Sequence, residues 1–262
     1  MEVRGRVVVV TGAARGIGAA LARRFAAAGA RGIVVSDLSL AAVEAVAADI
    51  GPAAHPVACD VADEAAVREL VAACDRRFGP VDLFCSNAGV AFAAGLDAPD
   101  AAWSSSWAVN VMAHVYAART VVPSMVERGG GYLLNTCSAA GLLTAAGDAA
   151  YTATKHAAVG FAEWLSIMYG DAGVKVSVLC PQGVHTAMMD DGLANGNRAA
   201  RLVAAAGEML QPEDVAEAVL DGLAAERFHI LPHPEVAGYV RHKGTDPDAW
   251  LSAMRHFIAG NP

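Results

Sequence analysis

Short apolar runs alternate along the chain with longer segments in which apolar residues recur at helical spacing. The first run, "RVVVV", covers residues 6–10, and the next segment, 17–30, carries an apolar stripe of Ile17, Leu21 and Phe25. The run is typical of a buried strand, whereas the stripe is typical of an amphipathic helix. Predicted strands cover residues 6–10, 32–37, 55–60, 81–87, 131–138, 174–181 and 227–232. Predicted helices cover residues 17–30, 39–49, 63–77, 100–127, 149–170, 211–225 and 246–258.

The order of these elements predicts the fold. Strands that are apolar throughout and alternate with helices favour a parallel sheet covered on both faces. Right-handed crossovers between such strands produce a doubly wound α/β fold, here a seven-stranded, mostly parallel Rossmann-type sheet. Since no low-complexity linker and no repeat beyond the β-α unit interrupts the chain, residues 1–262 are predicted to form one domain, in which residues 187–207 are less regular.

Composition and charge narrow the range of functions. Hydrophobic residues make up 55% of the chain and charged residues 18%, a globular composition. The formal net charge is −8 and there is no basic stripe, which argues against a nucleic-acid partner. No apolar run reaches the length of a membrane span, and the apolar stretch near the N-terminus is too short for a signal peptide. We therefore expect a cytoplasmic protein.

The five cysteines are expected to be reduced and buried. They are Cys59, Cys74, Cys85, Cys137 and Cys180. No C-x-x-C pair and no Cys/His spacing suited to a metal is present, so no metal is expected, and buried thiols are common in a reducing compartment. The alternative is a catalytic Cys137.

A glycine-rich turn, "TGAARGIG" at residues 11–18, separates the first strand from the first helix. Gly12, Gly16 and Gly18 follow the spacing G-x-x-x-G-x-G. Without Cβ atoms, the backbone here can approach a pyrophosphate closely, and the N–H groups that begin the helix point at it. The turn favours dinucleotide binding, although a plain tight turn also uses glycine.

Asp37 indicates which dinucleotide is bound. It ends the second strand, 19 residues after Gly18. A carboxylate here can accept hydrogen bonds from the adenosine ribose and would repel a 2′-phosphate, whereas Arg15 could attract that phosphate. We give Asp37 more weight because desolvating a carboxylate against a phosphate is costly, and expect NAD rather than NADP. The alternative for Asp37 is a helix N-cap.

One apolar helix carries two polar side chains on the same face. The segment "AAYTATKHAAVGFAEW" at 149–164 places Tyr151 and Lys155 four residues apart, one helical turn. Taken alone, Tyr151 could be a core tyrosine, and Lys155 could be a lysine whose stem crosses an apolar surface.

Six motifs, in order along the chain, resemble those of the short-chain dehydrogenase/reductase family in its single-domain form. They are "TGAARGIG" at 11–18, "CDV" at 59–61, "NAG" at 87–89, "VNV" around Asn110, "NTCS" ending at Ser138 and "YTATK" at 151–155. The resemblance extends from Val7 to about Thr186. Each motif alone is weak, but the ordered set at the family's usual separations is specific.

The resemblance implies that Ser138, Tyr151, Lys155 and Asn110 are the catalytic residues. A free phenol has a pKa near 10, which a cation within about 4–6 Å lowers. Tyr151 would then take the hydroxyl proton of an alcohol as hydride leaves for the cofactor, and return it in the reduction. Ser138 would hold the substrate oxygen, Lys155 would also bind the nicotinamide ribose, and Asn110 would hold a water.

The resemblance also implies the cofactor contacts. They are Gly12, Arg15, Gly16, Ile17, Gly18, Asp37, Leu38, Asp60, Val61, Asn87, Ala88, Gly89, Tyr151, Lys155, Pro181, Gly183, Val184 and Thr186. Two features depart from the family pattern. Gln182 follows Pro181 where glycine is usual, which could bring an amide near the substrate, and residues 233–262 form an atypical tail whose role cannot be transferred.

The substrate pocket is expected between the segment after Ser138 and the segment after Thr186. The candidate substrate contacts are Leu142, Gln182, Met188 and Met189. Neither "AAGLL" at 139–143 nor "AMMDDGLANG" at 187–196 contains Arg or Lys, which favours an apolar secondary alcohol or ketone. Residues 187–207 would form a mobile lid. The alternative is that the two methionines are helix core.

These observations predict an NAD-dependent oxidoreductase of a small-molecule alcohol or ketone, assembled as a homodimer or homotetramer. One alternative is a carrier-linked 3-ketoacyl reductase that uses NADPH, against which Asp37 and the net charge of −8 argue. The other is a non-catalytic dinucleotide-sensing protein, against which the presence of both Tyr151 and Lys155 argues.

Overall fold

Seven parallel strands form one sheet. The computed structural model describes residues 1–261. The strands are β1 Val7–Thr11, β2 Gly32–Asp37, β3 Ala54–Ala58, β4 Leu83–Ser86, β5 Gly131–Thr136, β6 Val174–Leu179 and β7 His229–Ile230. They lie in the order β3-β2-β1-β4-β5-β6-β7, and every neighbouring pair is parallel. The doubly wound fold predicted from the sequence is confirmed, and the sheet is wholly rather than mostly parallel.

The strand order changes direction between β1 and β4. The chain adds β2 and β3 on one side of β1, then returns to add β4 to β7 on the other. At such a switch point the loops that follow the two central strands diverge and leave a crevice at the carboxyl end of the sheet. Thr11 and Ser86 end these strands, so the candidate site is sought around them.

Helices cover both faces of the sheet. They are α1 Gly16–Ala27, α2 Leu40–Ile50, α3 Glu64–Phe78, α4 Asp100–Trp107, α5 Ala113–Glu127, α6 Ala149–Tyr169, α7 Ala187–Ala194, α8 Arg198–Ala205, α9 Pro212–Ala224, α10 Glu235–Thr245 and α11 Pro247–Gly260. Alternate side chains of β1 enter opposite cores: Val7 and Val9 pack with residues of α3, α5 and α6, and Val8 and Val10 with residues of α1 and α9. β1 and β4 are therefore buried on both sides, as their apolar sequences require, whereas β3 at the edge of the sheet is only partly buried.

The long helix predicted over residues 100–127 has an irregular centre. Between α4 and α5 the residues Ala108–Met112 form one π-helical turn, which contains Asn110. A π turn inserts one residue into the helix, and such insertions are often found at functional sites. The apolar periodicity on either side is undisturbed, so the sequence pattern predicted one continuous helix.

Two other sequence predictions differ from the structure. The irregular segment 187–207 contains two short helices, α7 and α8. The strand predicted at 227–232 is reduced to the two residues of β7, which pair with Val178 and Leu179 at the edge of the sheet. Pro232 and Pro234 follow directly, and proline lacks the N–H that a longer strand would need.

The atypical tail folds as a helical pair. Sequence periodicity predicted α11 but not α10, whose 11 residues include two glycines. Val236 of α10 and Trp250 of α11 are buried together with Ala139 and Leu143, which follow β5. This small third core attaches the tail to the segment expected to line the substrate pocket. Across residues 1–261 no helix combines the length and hydropathy needed to cross a bilayer.

Candidate active site

The glycine turn is packed tightly against the end of β4. Gly12 has a φ of +63°, and a Cβ there would lie 2.8 Å from Cα of Ala88. A Cβ on Gly18 would lie 2.2 Å from the carbonyl oxygen of Gly12. No side chain fits at either position, because the turn packs directly against the loop after β4 and against itself. The turn stands at the start of α1, where the sequence predicts that a pyrophosphate binds.

Asn87 fastens the turn to its neighbours. Its Nδ2 donates to the carbonyl oxygen of Thr11 at 3.0 Å, and its Oδ1 accepts from Thr136 Oγ1 at 3.0 Å. Thr11 Oγ1 in turn accepts from the backbone N–H of Asn87 at 3.0 Å. One amide therefore joins the ends of β1, β4 and β5, the strands around the switch point.

Asp37 lies beside the same turn. Its Oδ2 accepts from the N–H of Ala14 at 3.2 Å, and its Oδ1 accepts from the N–H of Leu38 at 2.8 Å. The alternative role of helix N-cap is wrong, because Ser39 caps α2 by accepting from Ala42. The carboxylate is thus fixed at the end of β2, where an adenosine ribose would lie if the dinucleotide runs across the turn.

The remaining candidate cofactor residues follow the same edge of the sheet. Asp60, after β3, is exposed and accepts from the N–H of Ala62 at 2.9 Å, whereas Val61 is buried. On the far side, Thr186 reaches the glycine turn, since its Cγ2 would lie 3.1 Å from a Cβ on Gly16. The segment 181–186 therefore closes the crevice opposite β2.

Tyr151 and Lys155 share one face of α6, as predicted. The Lys155 ammonium lies 5.5 Å from the centroid of the Tyr151 ring. Lys155 is buried, and its Nζ donates to the carbonyl oxygen of Thr136 at 2.9 Å. The ammonium therefore lies over the face of the Tyr151 ring. The reading of Lys155 as a surface lysine is wrong.

Gly89, a predicted cofactor contact in the loop after β4, lies beside Lys155. A Cβ on Gly89 would lie 3.5 Å from Lys155 Nζ and 3.4 Å from Asn110 Oδ1. Asn110 is fully buried; its Oδ1 accepts from the N–H of Val90, and its Nδ2 donates to the carbonyl of Val90 and to Thr154 Oγ1. The Asn110 side chain therefore joins the loop after β4 to α6 beside Lys155.

Ser138 follows β5 and begins a single 3-10 turn over Ala139–Gly141. Its Oγ accepts from the N–H of Ala140 at 3.1 Å, and the N–H of Ala139 donates to the carbonyl of Pro181 at 2.8 Å. The two loops that would flank a substrate are thus bonded to each other. A hydroxyl that accepts one hydrogen bond keeps its own proton free to donate.

Asp148 is a site residue that the sequence analysis missed. It is buried and caps α6 by accepting from the N–H of Tyr151 at 2.9 Å. Its other oxygen accepts from the backbone N–H groups of Phe92 at 2.9 Å and Ala93 at 2.6 Å. An aspartate directly before an apolar helix is an N-cap signal that the sequence does contain.

The four candidate substrate contacts carry no charge and lie in the loops after β5 and β6 and in α7. Met188 is 50% exposed, Met189 is partly buried, and α7 has no buried residue, so the alternative that both methionines are helix core is wrong. Leu142 is partly buried beside Leu143. Gln182 points toward the end of α8, where its Oε1 would lie 3.6 Å from a Cβ on Gly207.

The fold and this arrangement are those of the Rossmann-type proteins. A family model described as short chain dehydrogenase matches residues 6–195. The chain belongs to the short-chain dehydrogenase/reductase family, as the sequence motifs indicate. It is an oxidoreductase that acts on hydroxyl or keto groups, and its family uses nicotinamide cofactors.

Relatives and solved structures agree with this assignment. The chain is 36% identical over 258 residues to 1-deoxy-11-beta-hydroxypentalenate dehydrogenase of Streptomyces exfoliatus, covering 95% of this chain and 90% of the relative. A short chain dehydrogenase/reductase from Burkholderia phymatum in complex with NAD superimposes with a TM-score of 0.87 at 30% identity, over 95% of this chain and 96% of the other. A 3-ketoacyl-(acyl-carrier-protein) reductase from Brucella melitensis complexed with NADH gives a TM-score of 0.77 at 30% identity, over 87% and 96%.

Proposed function

We propose that the protein is an NAD(H)-dependent oxidoreductase of an apolar secondary alcohol or its ketone. One observation carries the proposal: the Lys155 ammonium is buried and lies 5.5 Å from the centroid of the Tyr151 ring. The same ammonium lies beside Gly89, in the loop after β4. A phenol placed next to a buried cation can donate a proton to a substrate oxygen and take one from a substrate hydroxyl.

The residues of the site have distinct roles in this proposal. A bound nicotinamide ring accepts or supplies the hydride. Ser138 donates a hydrogen bond to the substrate oxygen and holds it against Tyr151, which takes the hydroxyl proton in the oxidation and returns it in the reduction. Lys155 stabilises the phenolate and binds the nicotinamide ribose, and Asn110 holds a water beside it. The position of the glycine turn, between the end of β1 and the start of α1, supports the fit of the dinucleotide.

The preference for NAD rests on Asp37. Its carboxylate is fixed at the end of β2 by two backbone N–H groups, so it cannot withdraw from a 2′-phosphate without losing both bonds. Arg15, in the same turn, is exposed to solvent. The NAD and NADH complexes of two similar structures are consistent with this choice.

An apolar substrate is supported by the residues that flank the site. Leu142, Met188 and Met189 present apolar side chains, and methionine adapts to irregular shapes. A relative is named for a hydroxypentalenate dehydrogenase, which supports an alcohol carried on a larger organic skeleton. Residues 187–207 form the lid in this proposal, and closure over the substrate would exclude water from the hydride path.

A carrier-linked 3-ketoacyl reductase is the second candidate, because one similar structure is such an enzyme. The net charge of −8 opposes docking of an acidic carrier. This candidate would be favoured if the protein turned over a ketoacyl thioester faster than every free secondary alcohol in the panel below.

The proposal places the protein in the cytoplasm as an assembly of identical subunits. All five cysteines are free and buried, which suits a reducing compartment. Exposed tryptophan, isoleucine and methionine side chains on α4 and α6 support a contact between two copies.

A panel of 2-octanol, cyclohexanol and 1-indanol with NAD⁺ or NADP⁺ tests the reaction, and Tyr151→Phe tests the mechanism. The variant keeps the ring but loses the proton carrier, so we expect the rate to fall by about 10²–10⁴-fold while NADH binding, measured by fluorescence, is nearly unchanged. Tyr169→Phe, at the end of the same helix, is the control. A Tyr151→Phe rate above about a tenth of wild type would rule out this role for Tyr151.

A further inference from the structure

Two side chains of the C-terminal unit, defined as residues 231–260, reach the two loops that flank the active site. One is His233, just after β7, and the other is Lys243, near the end of α10. Neither lies in a motif of the family model, which matches only to residue 195. The same region carries the tail that departs from the family pattern, and one of the loops carries the other departure, Gln182.

His233 binds the cofactor-side loop at two consecutive residues. It is 2% exposed, and its Nδ1 accepts from the backbone N–H of Gln182 at 3.1 Å. Its Nε2 lies 3.1 Å from the carbonyl oxygen of Gly183, to which it must donate because a carbonyl cannot. The two bonds require a neutral imidazole with its proton on Nε2. The ring therefore acts as a clamp on the backbone just before Val184 and Thr186.

Lys243 binds the substrate-side loop. Its Nζ donates to the carbonyl oxygens of Leu142 at 2.8 Å and Leu143 at 3.0 Å. The Nε2 of His156 lies 3.4 Å away, and because His156 Nδ1 donates to the carbonyl of Thr152, Nε2 is free to accept from Lys243. All three protons of the ammonium are thus directed at partners. Partial burial lowers the pKa of Lys243 from its ordinary value.

Apolar packing supports the second contact. Leu143 lies in one buried cluster with Ala139 of the loop and with Val236 and Trp250 of the C-terminal unit. The Lys243 ammonium also contacts α6 through His156, the residue after Lys155. The loop after Ser138 is therefore held between α6 and the C-terminal unit.

We propose that His233 and Lys243 are positioning residues, through which the C-terminal unit sets the two walls of the active site separately. His233 fixes the segment that touches the nicotinamide, and Lys243 fixes the segment that touches the substrate. This inference rests on the proposed function for the identity of the two ligands. Neither residue is expected to contact the reacting atoms.

The His233 contact is tested by a comparison of two ligands. ADP-ribose shares the adenosine and pyrophosphate of NAD⁺ but lacks the nicotinamide. In His233→Leu, we expect affinity for NAD⁺ to fall about tenfold, the effect of roughly two lost hydrogen bonds, while affinity for ADP-ribose changes less than about twofold. His233→Gln offers an acceptor and a donor on one side chain and should recover part of the loss. His256→Leu, on the exposed side of α11, is the control.

The Lys243 contact should give the opposite pattern. Lys243→Met keeps the apolar stem but removes the three donors, so we expect KM for the best alcohol of the panel to rise about tenfold with NAD⁺ affinity unchanged. Amide hydrogen exchange should increase at residues 139–143 in this variant and at 182–183 in His233→Leu. Lys175→Met, whose lysine pairs with Glu226 on the surface, is the control.

The outcomes separate this inference from the proposed function. If His233→Leu weakens the binding of NAD⁺ and of ADP-ribose equally, or if amide exchange at the two loops is unchanged, the inference is overturned. The contacts of His233 would then contribute only to the general stability of the fold. If the wild type binds neither NAD⁺ nor NADP⁺, the proposed function fails, whereas the exchange measurements still decide whether the two side chains hold their loops.

Discussion

Asp37 is the residue whose charge we expect to set cofactor choice. Asp37→Asn removes the charge and keeps one oxygen for the N–H of Ala14, although its amide nitrogen cannot accept from the N–H of Leu38. We expect the ratio of kcat/KM for NAD⁺ to that for NADP⁺ to fall about tenfold, with most of the change in NADP⁺.

The control for that substitution is Asp49→Asn, since Asp49 is an exposed carboxylate of α2 paired with Arg23 of α1. A wild-type protein that turns over faster with NADP⁺ at equal concentration would contradict the prediction. It would then be Arg15 that decides the cofactor.

His114, one turn beyond Asn110, is a buried histidine that the sequence analysis did not single out. It is 1% exposed, and neither ring nitrogen has a hydrogen-bond partner within residues 1–261. Burial, with a smaller effect of the Lys155 charge, lowers its pKa from 6.5 to about 3. The imidazole is therefore neutral in the folded protein throughout the physiological range.

This pKa makes stability depend on pH with a definite sign. Between about pH 6.5 and 3 the unfolded chain binds a proton at His114 that the folded chain does not. The free energy of unfolding should then fall by about 1.4 kcal/mol for each pH unit of acidification from this residue alone. His114→Leu should show a shallower fall between pH 6 and 4 in urea unfolding than His256→Leu. Equal slopes would show that His114 is protonated in the fold.

At the scale of elements, sequence patterns located strands and helices better than their irregularities. Most strands were recognisable because their apolar residues are consecutive. The π turn around Asn110 was not, because one inserted residue leaves the apolar stripes of α4 and α5 intact. The helix α10 was missed because its sequence has weak helical propensity, and the burial of Val236 against α11 stabilises it.

The residues of the active site also divide into those that a local sequence pattern reveals and those that it does not. Tyr151, Lys155 and the glycine turn were predicted because they lie in local patterns at strand and helix ends. His233 and Lys243 could not be, since their partners are 51 and 101 residues away along the chain. Contacts at such a separation depend on how the tail packs, for which the sequence pattern carries no local signal.

The lid is the element whose mobility is predicted. Residues 187–207 form α7 and α8, which are short, and α7 buries none of its side chains. Few buried contacts mean a low free energy of local opening, so amide exchange should be fast without ligands and slow with NAD⁺ and a substrate analogue. The strand β5 is the internal reference. Protection of 187–207 equal to that of β5 in the free protein would mean that there is no lid.

At the scale of the whole molecule, the sheet explains why distant motifs meet. Parallel strands all end at the same edge, so residues after β1, β2, β4 and β5 are brought together although the chain separates them by up to 127 residues, from Thr11 to Ser138. The doubly wound order then leaves the crevice between β1 and β4. The residues of the site thus lie at the carboxyl ends of the strands, and the C-terminal unit contacts the two flanking loops from outside the sheet.

Exposed apolar side chains on α4 and α6, two helices that contact each other, predict how subunits associate. Trp103 and Trp107 of α4 and Trp164, Ile167 and Met168 of α6 are all at least one-third exposed, Ile167 the most at 79%. Neighbouring helices with this much apolar surface are unusual on a monomer, and a two-fold contact would bury the same patch on both copies. We therefore expect a dimer at least, formed through α4 and α6.

Ile167→Glu tests this contact, because it places a charge on each side of the two-fold axis and both would be desolvated. We expect sedimentation velocity to show an assembly for the wild type and a monomer for the variant. Leu251 is also an exposed apolar residue, on α11, and Leu251→Glu should leave the assembly intact. If the wild type sediments as a monomer, or if Leu251→Glu rather than Ile167→Glu dissociates it, the face formed by α4 and α6 is not the subunit contact. A monomeric wild type would leave the catalytic helix α6 exposed along this face, and its activity should be independent of protein concentration down to the nanomolar range.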